Sequence, residues 1–158
     1  MEKELVGTFQ AQYFKFLSAD PNTIFQFVVV PDRIFLLKVG SALNQIPQIL
    51  MKSWFRGPVG LKEYTSAPLP SVEQLRGFVA KINSEKTLGF TSSSVRSREI
   101  PLDEIASAEH RKSGFFGRGL HLKLIDGEKM FFRFLKPESE TVAQKALATV
   151  LKTRYVVA

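Results

Sequence analysis

Residues 119–135 read GLHLKLIDGEKMFFRFL, and the fold is decided there. Leu120, Leu122 and Leu124 alternate with His121 and Lys123. After Ile125, Asp126 and Gly127, Met130, Phe132 and Phe134 alternate with Phe131 and Arg133. A period of two belongs to a strand with one buried face, so the stretch predicts a β-hairpin. Its register follows from the need for both apolar sets to face one core. A two-residue Asp126-Gly127 loop would set Leu122 opposite Phe131 and turn Phe132 outward. A three-residue loop ending in a left-handed Gly127 pairs Leu122 with Met130, and this register is predicted. It places His121, Lys123, Lys129 and Arg133 together on the outer face.

Outward from the hairpin the β character continues. Thr87 to Phe90, Val95 to Ile100 and Ile105 to Lys112 read as strands, with a turn at Pro101-Leu102-Asp103-Glu104. Near the N-terminus, Leu5 to Leu17 and Thr23 to Val30 flank the turn cluster Ser18-Ala19-Asp20-Pro21-Asn22. Pro31-Asp32 then separates Thr23 to Val30 from Arg33 to Val39. Both faces of Thr23 to Val30 are apolar, with Phe25, Phe27 and Val29 on one side and Ile24, Val28 and Val30 on the other. A cover for the second face is therefore required. Two helical segments lie nearby in sequence. Ser41 to Phe55 spaces Leu43, Ile46, Leu50 and Trp54 helically, with Pro47 delaying or kinking it. Ser71 and Gln74 form a capping box ahead of the stripe Leu75, Val79 and Ile82, which ends near Asn83. A final helix opens on Pro137-Glu138-Ser139-Glu140 and carries Val142, Ala146, Leu147, Val150 and Leu151 on one face. Lys145, Lys152 and Arg154 complete it and complement its dipole.

The 158 residues include no cysteine, 14 phenylalanines, and 22 Lys+Arg against 15 Asp+Glu, a net charge of +7. One α+β domain over residues 1–158 accounts for that length, and disulfides and thiolate metal sites are excluded. No apolar run is long enough to span a bilayer and the first residues do not read as a signal peptide, so a cytoplasmic location is expected.

About seven strands, a helical insertion after the third at roughly 41–86, and a terminal helix form an order that resembles the pleckstrin-homology-like superfold, including its GRAM-like and bacterial members. The local matches are Val29-Val30-Pro31-Asp32-Arg33-Ile34-Phe35-Leu36, similar to the second hairpin of such domains, and Arg98-Glu99-Ile100-Pro101-Leu102-Asp103-Glu104-Ile105, similar to the approach to their middle strand. The resemblance implies a partly open, seven-stranded barrel of two orthogonal antiparallel sheets with a C-terminal capping helix. It also implies a binding module rather than an enzyme. The phosphoinositide site that many such domains build in their first loop is not implied, because Ser18 to Asn22 carries Asp20 and no cation.

The residues suggest a different surface. His110-Arg111-Lys112-Ser113-Gly114-Phe115-Phe116-Gly117-Arg118-Gly119 joins two strands, and two readings of it stand. In one, Phe115 and Phe116 enter an acyl boundary while Arg111, Lys112 and Arg118 meet anionic headgroups, each cation near the surface adding about 1 kcal/mol. In the other, the phenylalanines fold back as a lid on the core. With Lys123 and Arg133 of the outer face, Arg111, Lys112, Phe115, Phe116 and Arg118 make up the expected lipid- or partner-binding set. His110 and His121 read as a solvated pair with no ligand spacing, so neither a metal nor another cofactor is expected. There is no nucleophile elbow and no P-loop ending, and no catalytic set is identified. The expected function is docking on an acidic partner, either an anionic membrane surface at its periphery or a protein. The alternative is a nucleic-acid-associated basic protein. Asp103, Glu104, Glu109, Asp126 and Glu128 argue against it by interrupting any continuous cationic stripe.

Overall fold

The computed structural model describes residues 6–14, 23–41, 71–84, 96–111, 118–134 and 137–157. The chain is mainly β with helices. In order come β1 (Gly7–Phe14), β2 (Thr23–Val30), β3 (Arg33–Ser41), helix α1 (Val72–Ser84), β4 (Arg98–Pro101) and β5 (Ile105–Arg111). Then follow β6 (Gly119–Leu124), β7 (Lys129–Arg133), helix α2 (Pro137–Leu151) and β8 (Tyr155–Val157). These strands form one eight-stranded sheet ordered β4-β3-β2-β1-β7-β6-β5-β8. Seven pair antiparallel, while β8 runs parallel to β5.

The eighth strand corrects the expected length of the terminal helix and the purely antiparallel pairing. Lys152 adopts a left-handed φ of 53°, which ends α2 at Leu151. Tyr155, Val156 and Val157 are aromatic and β-branched, and they pair with Ala108, Glu109 and His110. Arg154 fixes the approach to β8 by donating from Nη1 to the carbonyls of Leu102 and Ile105, at 2.6 and 2.8 Å.

The hairpin takes the three-residue loop. Leu122 pairs with Met130 and Leu120 with Phe132. Gly127 sits at φ 96°, its N–H donating to Leu124 O at 3.0 Å while Leu124 N donates to Glu128 O at 2.9 Å. The core face thus gathers Leu120, Leu122, Leu124, Met130 and Phe132 with Phe9, Phe25, Phe27, Ile34 and Leu36. Phe27 stacks on Phe9 at 4.6 Å and meets Phe132 edge-to-face at 4.7 Å. Aromatic contacts of this kind add about 0.5–1.5 kcal/mol each beyond burial. Helix α2 seats Val142, Ala143, Ala146, Leu147 and Leu151 in the same core, against β1, β2, β5 and β8.

The second face of β2 is buried as its composition demands: Ile24, Val28 and Val30 are covered, with Phe35 and Leu37 of β3. Gln26, the polar member, donates to Thr8 Oγ1, which in turn donates to Phe27 O at 2.7 Å. Helix α1 lies against β3 and β4 and buries Leu75. The capping box forms reciprocally, Ser71 N donating to Gln74 Oε1 at 2.8 Å and Gln74 N to Ser71 Oγ at 3.1 Å. Asn83 closes the other end through two 2.9 Å bonds with the Ser97 backbone. Arg76 reaches Glu99 at 3.0 Å, and Arg33 reaches it at 2.8 Å. Burial opposes the Glu99 carboxylate, yet the hydrogen bonds from Arg33 and Arg76 outweigh it and hold its pKa below the ordinary range. The helix expected within 41–55, with Trp54, and the strand expected at 87–90 lie outside the described residues, apart from Ser41, which ends β3.

The sheet curls far enough that Arg98 on edge strand β4 meets Glu128 beside the β6–β7 loop at 2.9 Å. Ile125 N also donates to Glu104 O at 2.9 Å. The outer face of β5, β6 and β7 remains on the opposite side from α2.

Candidate functional site

Strand register arranges the outer face of β5–β7 in three rows. Ser107, Lys123 and Lys129 are neighbours in the first, Glu109, His121 and Phe131 in the second, and Arg111, Gly119 and Arg133 in the third. Each row is two residues further along the strands, so cationic first and third rows bracket an aromatic second row. A groove of about 500 Å³ runs over this face, its charged and aromatic lining made of Tyr13, Glu109, Arg111, His121, Lys123, Glu128, Lys129 and Phe131.

The middle row is set by a glycine. A Cβ at Gly119 would lie 2.6 Å from Cε2 and Cζ of Phe131, so the Phe131 ring rests directly over the Gly119 backbone. There it packs on His121, with ring centroids 4.4 Å apart. Burial, and then the positive charge of Arg111, hold the His121 pKa below its ordinary value despite the opposing pull of Glu109. The imidazole is therefore neutral at neutral pH, and the platform is apolar and uncharged between two basic rows. Arg111 pairs with Glu109 at 2.9 Å and Glu128 with Arg98. Lys123, Lys129 and Arg133 are exposed and have no ion pair among the described residues.

On the inner side the same strands carry a buried polar cluster. His110 of β5 is fully buried, with Nδ1 3.1 Å from the Tyr155 hydroxyl and 3.0 Å from Gln144 Nε2. Nδ1 thus meets both a hydroxyl and an amide, while Nε2 is left to face the helix. Nε2 faces Glu140 Oε2 at 3.4 Å, an ion-pair distance longer than a well-formed hydrogen bond. Glu140 Oε1 takes a 2.7 Å bond from Arg118 Nη1. Burial, then the Glu140 charge, push the Tyr155 phenol up to about 12. The cluster joins β5, β8, α2 and the start of β6. It fastens the terminal helix to the sheet where the 112–117 connection begins and ends.

The expected binding residues divide accordingly. Lys123 and Arg133 stand on the outer face, and Arg111 lines the groove while engaged with Glu109. Arg118 is turned to Glu140 of α2. Lys112, Phe115 and Phe116 lie outside the described residues. The reading of His110 and His121 as a solvated pair is corrected. His110 pairs across the ladder with Leu120, one residue out of phase with His121, so the two rings occupy opposite faces. Among the described residues no group of three His, Asp or Glu side chains is placed to hold a metal. No helix there is long and apolar enough to cross a membrane.

Sequence reasoning missed Glu140 and Gln144. Glu140 reads as a solvated first-turn acid, but it precedes Leu147 by seven residues and so sits above it on the buried helix face. That spacing was the available signal. The binding set expected from the sequence omits Lys129, although the predicted register puts it beside Lys123.

No protein-family model and no curated protein matches the chain. Among solved structures, it is similar to the crystal structure of the C-terminal domain of an unknown protein from Leishmania infantum. The two share 12% identity at a TM-score of 0.49, over 95% of this chain and 86% of that one. So distant a likeness says nothing of what the chain binds.

Proposed function

We propose that the chain is a non-catalytic binding module of the pleckstrin-homology-like type, which takes an acidic partner on the outer face of β5–β7. The antiparallel order β4-β3-β2-β1-β7-β6-β5, with a terminal helix on the core, supports that fold resemblance. The observation that carries the function is the outer-face pattern. Lys123, Lys129 and Arg133 are held in register on rigid strands, exposed, and without carboxylate partners among the described residues. Such charges steer and hold an anionic partner, with an affinity that falls as salt screens them.

Of the acidic partners, a protein fits better than a bilayer. The face is a groove rather than a tip, so side chains of a protein reach into it where a bilayer surface does not. The test is fluorescence anisotropy with a labelled glutamate-rich peptide over a salt series, beside flotation with anionic vesicles. Lys123→Glu with Arg133→Glu should abolish salt-sensitive peptide binding while leaving the circular dichroism unchanged. Retention of peptide binding by the charge-reversed protein would overturn the assignment, and vesicle binding without peptide binding would replace the protein partner with a membrane.

A further inference from the structure

The three rows also specify a spacing. Successive same-face residues of a strand are two apart and rise about 3.3 Å per residue, so the first and third rows lie about 13 Å apart. An extended polypeptide laid along the strands has the same pitch and presents residues i, i+2 and i+4 on one side. With its first anion over Lys123 and Lys129, its second falls at Arg133, four residues on along β7. The residue between them then faces Glu109, His121 and Phe131. Arg111 is engaged by Glu109 and so offers an acid at that position no free cation, while the His121–Phe131 pair offers apolar area to a hydrophobic one.

We infer that the outer face of β5–β7 recognises an extended acidic protein segment bearing anionic side chains four residues apart with an apolar or aromatic side chain midway. This rests on the acidic-partner reading and sharpens it. A contiguous acidic run meets the pattern poorly, because its middle residue meets no free cation. Helical ligands meet it poorly as well, since i and i+4 on a helix are only about 6 Å apart.

The experiment uses two labelled peptides of identical composition. One has two glutamates four residues apart with phenylalanine midway; the other has adjacent glutamates with the phenylalanine outside them. The spaced peptide should bind about five- to tenfold more tightly, the advantage of engaging a second basic row and the platform together. Lys123→Glu and Arg133→Glu should each remove that advantage. Replacing the midway phenylalanine by glutamate should also remove it. Equal affinity for the two peptides would overturn the spacing rule while leaving the acidic-partner reading in place. Failure of both peptides, with binding of anionic vesicles or of a single-stranded oligonucleotide instead, would overturn both.

Discussion

Gly119→Ala adds a single methyl to a strand position whose φ is not left-handed, so the backbone accepts it and the sign rests on contacts alone. The smaller unfolded-state freedom of alanine favours the variant by about 0.4–1 kcal/mol. Against that, the new Cβ meets Cε2 and Cζ of Phe131 and the carbonyl oxygen of Phe132, each at 2.6 Å. Carbon pairs rest at about 3.5–4.0 Å, so the two ring contacts are roughly 1 Å too close, and the carbonyl contact is compressed by somewhat less. The Phe131 ring can swing away, but the Phe132 carbonyl belongs to the β7 backbone, opposite Leu120 in the ladder. Relief therefore needs β6 and β7 to part at this end, a strain of about 1–3 kcal/mol that exceeds the entropic gain. Urea unfolding should show lower stability by up to about 2 kcal/mol, with the slope unchanged. Phe131→Ala in the same chain should restore only part of the loss, since the carbonyl contact persists. A Gly119→Ala protein as stable as the parent would refute the close approach of the β7 backbone to Gly119.

Three further outcomes are expected. Glu140→Leu should cost about 1–3 kcal/mol in urea unfolding, because the buried His110 ring and the Arg118 guanidinium both lose the carboxylate, whereas Glu140→Gln, which keeps an oxygen in place, should lose less. The Tyr155 phenol, raised from 10.0 to about 12, keeps its proton in the folded chain after the unfolded chain has released it. The stability this confers is complete below pH 10.0, and it is lost as the pH rises through about 12. Phenolate absorbance should show a late-titrating tyrosine that is absent from Tyr155→Phe, whose alkaline stability loss should also be shallower. His121, with its pKa depressed, confers stability that is present above 6.5 and lost as the pH falls through its folded value, so His121→Phe should flatten the acid limb of a stability–pH curve.

The sheet was legible where one face is buried and the other wet, since alternation then has a single register. Leu122 opposite Met130 followed from that logic, and so did the need to bury Ile24, Val28 and Val30. Tyr155–Val157 was not legible, because three residues after an amphipathic helix carry no periodicity of their own. Their strand state comes from β5, which supplies the ladder. The basic half of the site was readable as charge on an outer face. Phe131 falls outward in that same register, between Met130 and Phe132, but alternation alone did not reveal that it packs on His121. Its place over Gly119 and against His121 is a long-range contact that no local pattern carries.

One register serves both sides of the sheet. Along β5, Ala108 and His110 face inward while Glu109 and Arg111 face outward, so any slip that disturbs the His110 cluster also misplaces the groove. The inner cluster resists such a slip because the His110 ring meets Gln144 and Tyr155 through Nδ1, and faces Glu140, at one position only. A strand shifted by one residue would replace the His110 ring with Glu109, whose charge would face the Glu140 carboxylate, or with Arg111, which would compete with Arg118 for it. Burying an unmatched charge costs far more than any contact in the groove contributes. The polar cluster therefore adds what an apolar residue at position 110 would not. It fixes β5 against α2 and β8 in a single alignment, and with it the distance between the two basic rows on the far side.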